Sequence, residues 1–191
     1  MTRHVRITLA VVAVLGLTAG IELAMGRLPF GPDGRFGLWE SNIWSSEQSQ
    51  RFADPYSISH IVHGLLFYGL LWLAARRAPL RYRFLAAVLL EAGWELLENS
   101  PLIINRYRAV TISLGYVGDS VLNSVSDVLM MSLGFLLASR WRVWASVAFV
   151  VAMEVGMLFW VRDNLTLNII MLVHPIEAIK TWQMGGQPAL H

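Results

Sequence analysis

The chain has 191 residues, 55% of them hydrophobic and only 15% charged, with a mean hydropathy of +0.52. Its apolar residues gather in long runs rather than alternating, which is the composition of a bilayer protein and leaves little chain for a separate soluble domain. Cysteine is absent, which excludes disulfides, thiolate metal sites and cysteine nucleophiles; the net charge of +2 sits in short Arg clusters beside apolar runs, with Lys180 the one lysine, so membrane topology rather than nucleic acid accounts for it.

A helix needs about 20 residues to cross the hydrocarbon. The apolar runs predict five crossings: Ile7 to Met25, Ser57 to Ala75, Arg83 to Leu102, Gly118 to Ser139 and Val143 to Val161. The expected fold is therefore all-α, a polytopic transmembrane helix bundle forming a single integral membrane domain over residues 1–191. The first run follows Thr2-Arg3-His4-Val5-Arg6 as a signal peptide would, but its length predicts a retained helix. Residues 26–56 carry Gly, Pro and Trp, and read as a structured loop covering one end of the bundle. Between the second and third helices stands Arg76-Arg77-Ala78-Pro79-Leu80-Arg81-Tyr82-Arg83, and between the fourth and fifth Arg140-Trp141-Arg142.

With Arg3 and Arg6 these turns place eight Arg and no acid on one side, while the other connections mix both signs. The positive-inside rule then predicts a multi-pass protein of a bacterial-type inner membrane, its N-terminus cytoplasmic and its C-terminus periplasmic. Residues 26–56 and 162–191 fall on the periplasmic side. Leu165 to Trp182 is apolar but interrupted by His174-Pro175, which predicts a short re-entrant or interfacial helix. Trp72, Tyr82, Trp141, Trp144 and Trp160 fall at the ends of apolar runs, where aromatic belts form.

Inside these runs stands a polar constellation. His60 and His63 are three apart on the second helix, with Asp54 and Ser57 just before them. Glu91, Glu95 and Glu98 make one stripe on the third, and Asp119, Asn123 and Asp127 a second stripe on the fourth. Because the helices alternate in direction, both stripes fall in the outer half of the bilayer, as do Glu22 and Glu154, and a shared outward-opening cavity is predicted. An ionisable group at this depth costs about 2.5–3.5 kcal/mol on insertion scales, so such groups are paired, hydrated or functional.

Imidazole nitrogens and carboxylate oxygens at these spacings suit a divalent metal ion, Zn, Mn or Fe. The candidate ligands are His60, His63, Glu91 and Glu95, with Asp119, Asn123 and Asp127 as orienters or further ligands. Glu98 is the candidate base toward a bound water, and Arg106 the candidate holder of an anionic group such as a lipid phosphate. The plainer alternatives are a hydrogen-bonded histidine pair, an Arg-neutralised Glu network, and Asn123 and the serines as helix–helix glue. Gly64, Gly69, Gly93 and Gly134 read as sites of close helix packing.

The runs Ser59-His60-Ile61-Val62-His63-Gly64, Glu91-Ala92-Gly93-Trp94-Glu95-Leu96-Leu97-Glu98-Asn99 and Gly118-Asp119-Ser120-Val121-Leu122-Asn123-Ser124-Val125-Ser126-Asp127 resemble an uncharacterised family of alphaproteobacterial inner-membrane proteins over residues 27–185. That resemblance implies location and no reaction. Residues 54–135 are also similar to VanZ-like membrane proteins, linked to glycopeptide resistance, which implies envelope or lipid chemistry. Three functions are thus expected in turn: a metal-dependent periplasm-facing site acting on an envelope lipid, a non-catalytic membrane subunit or assembly factor that docks on a protein partner, and a proton- or cation-coupled transporter. The apolar inner halves of the helices favour a closed-bottom pocket over a channel.

Overall fold

The structure is a computed structural model that describes residues 3–186; residues 1, 2 and 187–191, the two ends of the expected domain and with them the C-terminus, lie outside the described residues. Eight helices follow in chain order among the described residues: α1 (Arg3–Ala24), α2 (Ser57–Ala75), α3 (Leu80–Glu98), α4 (Pro101–Val110), α5 (Val121–Ala138), α6 (Val143–Val161), α7 (Leu165–Val173) and α8 (Glu177–Met184). Four segments are long and apolar enough to cross a membrane: Val5–Ala24, Ser57–Ala75, Val121–Ala138 and Val143–Val161. The expected count of five is thus four by length and composition. The helix that drops out is α3, 19 residues long, which carries Arg81, Arg83, Glu91, Glu95 and Glu98 and packs against α1, α2 and α5.

Two boundaries differ from the sequence pattern for local reasons. The third helix was expected to run to Leu102, but it ends at Glu98, because Pro101 holds Ser100 extended (ψ 153°) and then opens α4 from its first turn. The fourth was expected from Gly118, but α5 starts at Val121. Ser120 is its extended N-cap, with the hydroxyl accepting from the Asn123 N–H at 3.2 Å, and Gly118 takes φ +91°. Asp119 therefore precedes the helix instead of sharing a stripe with Asn123 and Asp127. The tail is two short helices, α7 and α8, broken at His174-Pro175.

Helices α2 and α5 run parallel and approach most closely where Gly64 faces Gly134. A Cβ on Gly64 would collide with the Met131 carbonyl, and one on Gly134 with the Ile61 carbonyl. Gly69 and Gly93 do not share this role, since a Cβ on either meets nothing within 4 Å. Around the crossing, Ala87, Val88, Val128, Met131 and Phe135 form a fully buried apolar plug, with Phe84 and Tyr68 against the Phe135 ring. The Arg-rich turns close this end of the bundle.

The opposite end is polar and is covered by residues 26–56. Trp39 and Ala53 form a single parallel bridge, and Arg51 ties Asp33 at 2.8 Å and Glu47 at 3.0 Å. The cap is sewn to α5: Ser120 N–H donates to the Ser49 carbonyl at 3.0 Å, Val121 N–H to the Leu28 carbonyl at 2.9 Å, and Gln50 Nε2 to the Gly118 carbonyl at 2.8 Å. Trp160, expected in an interfacial belt, stacks on Trp39 at 6.0 Å and so joins the cap to α6.

Candidate functional site

The site lies between the apolar plug and the cap, where α2, α3 and α5 bring their polar residues to one level. Glu91 of α3 is fully buried and faces both histidines of α2: its Oε1 lies 2.6 Å from His60 Nδ1 and 2.9 Å from His63 Nδ1, and its Oε2 lies 3.1 Å from His63 Nδ1. A carboxylate can only accept, so both Nδ1 atoms carry the protons and the Nε2 atoms are left as acceptors or ligands. This is the arrangement in which a carboxylate fixes the tautomer and direction of a metal-binding imidazole. His60 Nε2 points on toward Asp127, with 3.7 Å to its Oδ2, while Ser57 Oγ donates to Asp127 Oδ1 at 3.1 Å.

Glu95, one turn above Glu91, is different. It is 0% exposed, and neither of its oxygens has a hydrogen-bond partner. Its Oε1 lies 3.5 Å from His60 Nδ1, whose proton is already taken by Glu91. Around it stand more acids. Tyr107 and Trp94 stand beside Glu98. Asp119 accepts from Tyr116 OH at 2.9 Å and from Asn99 Nδ2 at 3.3 Å, while its own N–H donates to Asn99 Oδ1 at 2.7 Å. Glu22 of α1, also fully buried, likewise has neither oxygen hydrogen-bonded, with Ser124, Asp119 and Arg27 as neighbours.

Among the described residues three groups can each bring ligand atoms within 4.8 Å of one another: His60, His63 and Glu91; His60, Glu95 and Asp127; Glu95, Glu98 and Asp119. Glu95 belongs to two of them. An isolated buried carboxylate without donors is strongly disfavoured; the spacing lets Glu95 share a cation either with His60 and Asp127 or with Glu98 and Asp119. The acids outside the spans report the same strain: burial pushes Asp119 up to about 7, against the hydrogen bond from Tyr116, and raises Asp54 despite four donors from Gln48, Ser49, Tyr56 and Ser57.

The site opens into a cavity of about 850 Å³, lined on the polar side by Asp54, Tyr56, His60, His63, Glu98, Tyr107, Tyr116, Asp119, Asn123 and Asp127. Of the residues singled out from the sequence, His60, His63, Glu91, Glu95, Glu98, Asp119 and Asp127 are brought together. Arg106 is not: its Nε donates to the Leu172 carbonyl at 2.9 Å, tying α4 to α7, and it does not line the cavity. Glu154, expected to share the cavity, instead caps α7, accepting from the backbone N–H groups of Leu165 at 3.2 Å and Thr166 at 3.0 Å. Tyr107, Tyr116 and Asn99 were missed, because they reach the site only through the break at Pro101 and the turn at Gly118. Asn99, following directly on the Glu stripe, was the available signal.

A family model described as a protein of unknown function (DUF2585) matches residues 22–185. A UPF0314 protein of Sphingopyxis alaskensis is 52% identical over 179 residues, covering 93% of this chain and 95% of the relative. UPF0314 proteins of Rhizobium etli and Paracoccus denitrificans are each 52% identical, over 92% and 89% of this chain and 90% and 88% of theirs. These relatives bear out the resemblance to an uncharacterised alphaproteobacterial family. The similarity to VanZ-like proteins is not among these findings. No solved structure matches.

Proposed function

We propose that this chain, which belongs to the DUF2585 family, is a multi-pass inner-membrane protein whose periplasm-facing His/carboxylate site binds a divalent metal ion and acts on an envelope lipid. The orientation rests on the Arg-rich turns at one end of the bundle and the cap at the other. In this reading α3 crosses the bilayer with the four apolar helices, its charged stripe turned to the bundle interior. The observation that carries the proposal is Glu95: a fully buried carboxylate with no donor, placed where two candidate ligand groups meet.

Glu95, Asp127 and His60 Nε2 would hold the cation, with Asp119 adjoining. Glu91 is assigned a different part from a ligand's, since its oxygens are already occupied in fixing His60 and His63. A bound divalent ion supplies Lewis acidity and an acidified water. Glu98, on the cavity wall, would serve as base toward such a water.

Elemental analysis of the detergent-purified protein after repletion with Zn, Mn or Fe tests this. Stoichiometric metal is expected in the wild type and none in a folded His60→Ala/His63→Ala/Glu95→Ala variant; a metal-free wild type would sink the reading. A second reading, a non-catalytic subunit or assembly factor docking on a membrane partner, draws on the saturated His60–Glu91–His63 contact, which needs no ion. It is the reading to which a metal-free result would lead. Transport is disfavoured by the apolar plug beneath the site.

A further inference from the structure

The cavity has a second set of walls, and these are apolar. Leu66 and Phe67 of α2, Leu90 and Leu97 of α3 and Ile169 of α7 line the same space as Asp54, Glu98, Asp119 and Asp127. Four of them are also about half exposed: Leu66 at 50%, Leu90 at 47%, Leu97 at 44% and Ile169 at 53%. A side chain that lines a cavity and is half exposed marks that cavity's mouth. This mouth is between α2 and α3, with α7 at its rim.

Its depth fixes what it faces. Leu66 follows His63 by three residues, and Leu90 immediately precedes Glu91, so the mouth lies at the level of the His63–Glu91 contact. At about 1.5 Å per residue Leu66 is roughly 13 Å along α2 from its polar end, well within the hydrocarbon if α2 spans the bilayer. Gly93 stands in the α3 wall between Leu90 and Leu97, itself lining the cavity, and a Cβ there would meet nothing within 4 Å. The slot is thus widened at Gly93, where a side chain would project into open space.

Charge decides the rest. No Lys or Arg is among the lining residues, whereas Asp54, Glu98, Asp119 and Asp127 are. An anionic head group entering alone would face carboxylates; one entering after a divalent cation has bound would meet a positive centre.

We propose that the slot between α2 and α3 admits one phospholipid sideways from the bilayer, its acyl chain against Leu66, Leu90 and Leu97 and its phosphate bridged to the carboxylates through the bound divalent cation. This rests on the metal reading above and adds the substrate class, the route and the order of binding.

The test uses the full chain in detergent, loaded with Mn²⁺, with dioctanoyl phosphatidylglycerol as probe and inorganic phosphate as a parallel arm. Mn²⁺ within a few ångströms of phosphorus accelerates its ³¹P relaxation. The wild type is expected to accelerate the lipid ³¹P relaxation saturably. Gly93→Trp, and Leu66→Trp from the opposite wall, are expected to keep their Mn²⁺ yet lose that effect. Inorganic phosphate, which can enter from the aqueous side, is expected to respond equally in wild type and variants. Equal lipid relaxation in wild type and both Trp variants, or a response to inorganic phosphate alone, would overturn the slot while leaving the metal site standing. Absence of bound Mn²⁺ in the wild type would overturn both, and metal content tells the two failures apart.

Discussion

Two buried carboxylates at the polar end of the bundle, Asp163 and Glu95, make an instructive pair. Asp163, just after α6, is 4% exposed and accepts from Tyr56 OH at 2.9 Å, Asn168 Nδ2 at 3.0 Å, Gln183 Nε2 at 2.8 Å and the Asn164 N–H at 2.9 Å. Those contacts join α2, α7 and α8, so Asp163 is a structural hub that clamps the short C-terminal helices to the bundle. Glu95 is at least as deep and has no donor. Asp163 is saturated and Glu95 is not; Glu22 shares that lack of partners, but only Glu95 also sits within reach of other candidate ligands, which is what the proposed metal site draws on.

The comparison is sharpest at Glu95 itself. Glu95→Gln keeps the shape, removes the charge and is expected to weaken Mn²⁺ or Zn²⁺ binding by more than about 100-fold, read by equilibrium dialysis, because it deletes a ligand rather than an orienter. Glu91→Gln is expected to weaken the same binding by about 10- to 100-fold, since one amide cannot accept from two Nδ1–H groups and the imidazoles lose their common direction. A Glu91 variant with wild-type affinity would remove it from the site.

Asp163 is expected to behave oppositely. Asp163→Ala leaves three side-chain donors without an acceptor and is expected to cost about 4 kcal/mol of stability in chemical denaturation, with metal affinity unchanged. The pH dependence is a further test of the same residue. Burial raises Asp163 to about 6, against the hydrogen bonds from Tyr56 and Gln183. A folded-state value above the ordinary one means the folded protein binds this proton more tightly. The resulting stabilisation is full below about pH 4 and is lost as pH rises through about 6. Up to about 3 kcal/mol is at stake, since each tenfold gain in proton affinity on folding contributes about 1.4 kcal/mol. Asp163→Asn should flatten that slope; an unchanged slope would assign it to another group.

Much of this was legible in the chain. Long apolar runs gave the helices, since any 19-residue segment as apolar as Val143–Val161 has few other fates. The Glu stripe and the histidine pair were visible as spacings, and antiparallel alternation of short-looped helices was enough to bring them to one depth. What stayed hidden depends on where helices stop. Pro101 turns the chain out of α3, and Gly118 with its left-handed φ aims the Asp119 N–H at Asn99. Both effects are local, and both redirect residues that periodicity would have kept on a stripe. Periodicity also could not distinguish Gly64 and Gly134, which meet a facing backbone, from Gly93, which meets open space. Nor could it show that Arg106 Nε is bonded to the Leu172 carbonyl, away from the cavity lining.

Thermal unfolding of the wild type and Glu95→Gln, each with and without saturating Mn²⁺, tests the central claim most directly. If Glu95 is a carboxylate awaiting a cation, the metal-free variant is at least as stable as the metal-free wild type, because a buried unpartnered charge has been removed; with Mn²⁺ the wild type rises above the variant and the order reverses. A metal-free variant less stable than wild type, with neither protein responding to Mn²⁺, would contradict the account and make Glu95 another member of a structural network.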